Sequence, residues 1–208
     1  MTTDVIGSSH LGALLQDSVT YARTTVRAVT SAELSHPTPC GEWDLRALLN
    51  HLNDSLLTLS TACRTGIVRL EHCSPADGQV DGPLAAFDRY SELVLTDGLR
   101  HRARRCVLVA DLPLAEHLLV AAGAIEISVH GWDVGQAARR ADSLPDELAI
   151  GLLTIAPLVV DDSCRSPQFG PIVAVPPASG PATRLLAYLG RQQAETTRLC
   201  PRWAMPMS

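Results

Sequence analysis

Apolar residues recur along the chain at three- and four-residue steps, the rhythm of amphipathic helices. Leu11, Leu14, Leu15, Val19, Ala22, Val26 and Val29 predict a first helix over residues 9–33. The segment "SHPTPCGEW" breaks that rhythm, because two prolines and a glycine cannot continue a helix. Asp44 then stands as an N-cap for "LRALLNHLNDSLLTLSTACRTG", with Gly66 as its stop. Beyond the polar loop "EHCSPADGQVDG", a third helix reads from Pro83 to Arg104. "CVLVAD" is too short for a helix and reads as extended, while Pro113 suits the first turn of a long fourth helix running to Arg140. A fifth helix begins near Pro145 and Asp146, with Pro157 placed to kink or end it. "PIVAVPP" reads as a short strand and "PATRLLAYLG" as a final helix.

Long amphipathic helices bury their stripes most simply against one another, so the expected fold is mainly α. The pattern predicts an antiparallel four-helix bundle with a small C-terminal strand–helix appendage. The boundary falls at residues 1–162 for the bundle and 163–208 for the appended segment. A hydrophobic fraction of 46% allows a sizeable core. The net charge of −5 argues against a nucleic-acid or anionic-membrane partner, since no basic excess exists to neutralise phosphates. The arginine cluster "RHRARR" (Arg100–Arg105) reads as a solvated helix end. No stretch resembles a signal peptide or a membrane span, and the expected location is the cytoplasm. Cys40, Cys63, Cys73, Cys106, Cys164 and Cys200 lack the close pairing of a zinc knuckle and read as reduced thiols.

Two polar interruptions of the apolar stripes carry the candidate chemistry. Glu126 and His130 stand four residues apart in "AIEISVHGWDVGQAARR". On a helix that spacing puts them on one face, about 6 Å apart along the axis. Alone, such a pair is equally a satisfied carboxylate–imidazole contact. His51, in "WDLRALLNHL" on the second helix, interrupts another core stripe. Polar groups placed there need partners, and convergence on one object explains both interruptions. Two imidazoles and a carboxylate form a donor set for zinc or another divalent first-row metal, with coordination left open for water or substrate. His117 shares the fourth helix but lies thirteen residues from His130, at about 220° around the axis, and faces elsewhere. His10, His36, His72 and His101 fall in terminal, loop or arginine-rich segments.

The same residues carry a family likeness. "TPCGEWDLRALLNHL" resembles the Trp-x-x-x-x-Leu-x-x-His signature of the DinB-like helical-bundle superfamily. "EISVHGWDVGQAAR" resembles the Glu-x-x-x-His-x-Trp-Asp motif of its actinobacterial branch, which is related to mycothiol-dependent maleylpyruvate isomerase. "FGPIVAVPPASGPATRLLAYLGR" resembles that branch's C-terminal segment ending in Leu-Gly-Arg. In the family the motif histidines and glutamate bind a divalent metal, usually zinc, which implies His51, Glu126 and His130 as ligands here. The likeness further implies a low-molecular-weight thiol, mycothiol, as co-substrate. Made into a thiolate at the metal, it would attack a small electrophile in an S-transferase or isomerase reaction. The alternatives are a thiol-independent lyase, cyclase or hydrolase using the metal as a Lewis acid, and a non-catalytic metal-binding bundle.

Maleylpyruvate isomerase has a fuller C-terminal domain than follows Asp162 here, which implies a different substrate. Around the expected centre, Trp132 reads as packing. Asp133 reads either as an acceptor orienting a ligand histidine or as a partner of local backbone or an arginine. Cys40 reads as loop packing or a metal-linked thiol. Arg191 reads as a catalytic clamp on an anionic substrate, with a capping or surface role as its alternative. Bundles of this kind often form homodimers, but no exposed apolar stripe singles out an interface.

Overall fold

Helix α1 (Ser8–Arg27) buries the stripe its sequence predicts, but it stops short of residue 33. The amides of Ala28 and Val29 bond three residues back, to Thr25 and Val26, which tightens the last turn. Thr30 then opens a short 3₁₀ turn (Ser31–Glu33), where the Glu33 carboxylate accepts from the Thr30 amide at 2.8 Å. The computed structural model describes residues 8–41, 43–68, 82–100, 106–140, 143–161, 165 and 169–192. The expected end of the third helix, most of the arginine cluster, His72, His101, Cys73, Cys164 and Cys200 lie outside the described residues.

Helix α2 (Leu45–Thr65) begins and ends as its sequence requires. The Asp44 carboxylate accepts from the Ala47 amide at 2.8 Å, and Gly66 closes the helix in the left-handed conformation at φ 76°. Strand β1 (Ile67–Val68) follows at once. Helix α3 (Pro83–Arg100) leads to strand β2 (Cys106–Val109), which pairs parallel with β1 and antiparallel with strand β3 (Leu112–Ala115). Pro113 therefore lies in a strand, and helix α4 (Glu116–Ala137) starts three residues later. Ala110 and Asp111 both adopt positive φ, at 48° and 67°, the backbone of a two-residue hairpin turn. Proline is tolerated in β3 because the strand lies at the sheet edge.

Helices α1, α3, α2 and α4 pack in a closed ring of neighbours, α1 on α3, α3 on α2, α2 on α4 and α4 on α1. The fold is thus the mainly helical bundle that the periodicity predicts. Helix α4 is apolar nearly all round, and its residues from Gly123 to Gly135 are buried except Glu126. Helix α5 (Asp146–Val159) covers a further side of α4, with Pro157 ending it within a turn. Helix α6 (Pro181–Tyr188) packs on α5. The "PIVAVPP" run enters no ladder among the described residues. It runs alongside α6 through one backbone bond, Val173 to Ala187 at 2.9 Å. Its prolines remove the amides that a ladder would need. No helix among the described residues is long and apolar enough to cross a membrane.

Candidate functional site

Helices α2 and α4 bring His51, Glu126 and His130 together. His51 Nε2 lies 2.5 Å from Glu126 Oε1, and His130 Nε2 lies 3.3 Å from the same oxygen. The two imidazole rings meet edge to face with centroids 5.1 Å apart. His51 and Glu126 sit at the margin of the buried stripes rather than in their centre, with side chains 36% and 28% exposed. They line a cleft of about 700 Å³ between α2 and α4, while His130 lies buried behind them. His117 is exposed and distant from this group, as its helical angle predicts. His10 is exposed, and His36 Nδ1 donates to the Ala137 carbonyl at 3.0 Å, tying the loop before α2 to the end of α4.

That loop is a tight structure of its own. Thr38 and Trp43 bond through backbone, as do Trp43 and Cys40, and Pro37 bridges Asp44. It carries two side chains to the site: Trp43, without a role on sequence grounds, and Cys40, read as loop packing or a metal-linked thiol. The Trp43 ring lies 4.9 Å from the His51 ring and 6.5 Å from that of His130, covering the pair from outside. Cys40 reaches the opposite side of His130, its Sγ 3.5 Å from Nδ1. Trp132, by contrast, is buried in the core.

A second cluster stands behind His130. Asp133, fully buried, accepts from His130 Nδ1 at 2.9 Å and from the Cys40 thiol at 2.9 Å. Arg191 closes its guanidinium on Asp133, with Nε 3.0 Å from Oδ1 and Nη2 2.8 Å from Oδ2. Its side chain is only 10% exposed, so the fork faces Asp133 and not the cleft. Both alternatives read for Asp133, a histidine and an arginine, are thus its partners at once. The only local sequence signal for this was its position three residues after His130.

The geometry of the Leu-Gly-Arg ending explains how Arg191 arrives there. Gly190 N bonds to Ala187 O and Arg191 N to Leu186 O, a Schellman end to α6. Gly190 has φ 76°, and a Cβ on it would lie 2.6 Å from Gly170 Cα. Only glycine fits that crossing, and the turn it permits points Arg191 back into the bundle.

Electrostatics follow from these contacts. Burial would raise the Glu126 carboxyl, but bonds from His130 and His51 outweigh it and hold the pKa well below the ordinary range. Burial opposes charge on His130, yet its contacts with Asp133, Cys40 and Glu126 hold its pKa well above 6.5. Asp133 is likewise held low against burial by His130 and Arg191. Arg191 is held above its ordinary value by the same partner.

Among the described residues, two groups present three ligand atoms within 4.8 Å of one another: His51, Glu126 and His130, and Cys40, His130 and Asp133. In the second, the Arg191 guanidinium already supplies the positive charge, with Nη2 also 3.6 Å from Cys40 Sγ. Among the described residues, no arginine is bonded to the first group. In it, His130 meets a carboxylate at each ring nitrogen, Glu126 at Nε2 and Asp133 at Nδ1. A neutral imidazole can donate to only one of them.

Residues 15–135, more than half of the chain, match the family model described as mycothiol maleylpyruvate isomerase N-terminal domain. The chain belongs to that family. This DinB-like, mycothiol-related domain family spans all three members of the His51 group, whereas Arg191 lies beyond the matched residues. Two relatives in Mycobacterium tuberculosis, uncharacterized protein Rv0738 of strain H37Rv and uncharacterized protein MT0763 of strain CDC 1551, are each 27% identical over 181 residues. The similarity covers 85% of this chain and 93% of each relative. No solved structure matches the chain.

Proposed function

We propose that the protein is a metal-dependent enzyme that brings a low-molecular-weight thiol, mycothiol in keeping with its family, to a small electrophilic substrate. His51, Glu126 and His130 are its metal ligands, with zinc the expected ion. The supporting observation is the convergence of these three donors at the edge of a cleft, with the far side of His130 fixed by Asp133. Two imidazoles and one carboxylate suit zinc and its neighbours, and three protein ligands leave room for an exogenous one. The fit also resolves the double demand on His130. A cation held by these three residues would leave the Nδ1 proton of His130 to Asp133, and neither carboxylate would lack a positive partner.

Such an ion supplies Lewis acidity that lowers the pKa of a thiol bound to it, giving a nucleophile at neutral pH. The chain's own residues do the rest. Asp133 fixes the tautomer and ring plane of His130. Arg191 keeps Asp133 ionised, so it serves as a positioning residue and not as a clamp on substrate. Trp43 packs its ring against that of His51, with centroids 4.9 Å apart. In a transfer the thiol sulfur stays bonded to the substrate carbon, and in an isomerisation it leaves after rotation about the neighbouring bond.

Calorimetry of mycothiol binding to the zinc-loaded protein, in two buffers of different ionisation heat, tests the thiol assignment. Release of about one proton at neutral pH is expected, because the bound thiol ionises. Absence of binding, or binding with no proton released, contradicts it.

A further inference from the structure

The cleft beside His51 runs on along α2 past the metal ligands. His51, Ser55, Thr58, Thr61 and Thr65 all line it. They follow one another at steps of four, three, three and four residues, which is a single face of the helix. From Ser55 to Thr61 the hydroxyl row spans about 9 Å at 1.5 Å per residue. Leu119 of α4 and Phe169 line the same cleft with apolar surface. Its volume of about 700 Å³ falls within the range of small-molecule sites.

The hydroxyls of this row are set apart from others in the helices. A serine or threonine inside a helix can bond its hydroxyl back to the carbonyl one turn earlier. Ser18, Thr20, Thr24 and Thr25 of α1 do so, over 2.7–3.2 Å. Thr65, at the end of the row, does so to the Thr61 carbonyl at 2.8 Å. Among the described residues, Ser55, Thr58 and Thr61 make no such bond, and each keeps a donor and an acceptor for what enters the cleft. A hydrocarbon laid over them would remove their hydration and supply no bond in its place. A sugar or cyclitol ring carries hydroxyls at its rim and C–H groups on its faces. It meets both the polar row and the apolar walls.

We propose that the cleft holds the body of the thiol co-substrate, and that this body is a polyhydroxylated ring moiety. Its hydroxyls bond to Ser55, Thr58 and Thr61, its C–H faces rest on Leu119 and Phe169, and its sulfur reaches the His51–Glu126 end. The placing of the sulfur rests on the proposed function, whereas the hold on the body comes from the hydroxyl row. Recognition then falls on the thiol, and the electrophile needs only to reach the sulfur.

Mycothiol carries such a body, an amino sugar linked to a cyclitol, on an N-acetylcysteine head. N-acetylcysteine amide is therefore the matched probe that lacks it. Calorimetric titration compares the two thiols on the wild type and on the triple variant Ser55→Ala, Thr58→Val, Thr61→Val, each with and without zinc. The wild type is expected to bind mycothiol at least about tenfold more tightly, as a few net hydrogen bonds imply. The variant should lose most of that advantage and bind N-acetylcysteine amide as the wild type does. In zinc-free protein the advantage should persist, because the row holds the body without the metal. Equal binding of the two thiols by the wild type overturns the proposal, as does a full advantage in the variant or failure of mycothiol to bind. An advantage that persists while the zinc-loaded protein releases no proton on binding mycothiol sinks the metal–thiolate reading and leaves the cleft assignment standing. Proton release without any advantage does the reverse.

Discussion

Replacing Asp133 with asparagine is expected to lower the free energy of unfolding by about 3–5 kcal/mol, the usual cost of removing one partner from a buried ion pair. Asp133 is fully buried and holds three groups at once: the Arg191 guanidinium, the His130 ring and the Cys40 thiol. Asparagine keeps the shape but removes the charge and turns an amide NH₂ toward donors. Arg191 is then left buried without a counter-charge. Denaturant titration measures the loss as a lower midpoint at unchanged slope. The double variant Asp133→Leu with Arg191→Met should recover a large part of it, because both charges leave together. If the double variant is no better than Asp133→Asn, the pair is not the source of the effect.

The pH dependence has a definite sign. Bonds from His130 and Arg191 hold the Asp133 carboxyl below its ordinary 3.8, against the effect of burial. The stabilisation is therefore complete above that value and fades only as pH falls through the lowered one. Wild type and Asp133→Asn should differ most above about pH 4 and converge in stronger acid.

Gly190→Ala is the second change with a large expected effect, about 2–4 kcal/mol of stability. Two costs add. Alanine is strained at φ 76°, and its Cβ would fall 2.6–2.7 Å from backbone atoms of Gly170, which cannot swing aside as a side chain can. Relief requires the turn after α6 to open, and that turn aims Arg191 at Asp133. Thermal unfolding should show the loss. The zinc affinity of Gly190→Ala should also fall, since His130 loses the support that Arg191 gives through Asp133. Unchanged stability in this variant would show that the Gly170 crossing gives way more easily than its backbone contact implies.

Much of the architecture is legible in the apolar periodicity, because each bundle helix carries its own stripe and its own stops. Asp44 and Gly66 mark the ends of α2 through local chemistry alone. The errors arise where local signals conflict. Pro113 fits a helix start by its ring constraint, yet it also fits an edge strand, and the β2–β3 pairing decides between them. That hairpin turn uses alanine and aspartate at positive φ, residues that do not announce it. "PIVAVPP" has strand-like residues, but no partner strand lies beside it among the described residues.

For the candidate site, the i, i+4 spacing makes the Glu126–His130 pair visible, and His51 stands out as a polar residue in an apolar row. Its placement at the rim of a cleft, not in the core, depends on how α2 and α4 pack together and has no local signature. The Cys40–Asp133–Arg191 cluster joins a loop, the C-terminal part of α4 and the end of α6. Contacts over such separations exist only once the chain is folded. Sequence alone therefore offers Arg191 to the substrate, while the fold turns it to Asp133.

Elemental analysis of protein purified without chelator tests the central claim most directly, with wild type, His51→Ala and His117→Ala compared side by side. His117 is the control: it lies on α4 with Glu126 and His130 but is exposed and outside the cluster. The account predicts about one zinc or equivalent divalent ion per chain in the wild type and in His117→Ala, and loss of most of it in His51→Ala. A metal content unchanged by His51→Ala, or a wild-type protein that neither carries nor takes up a divalent ion, would contradict it.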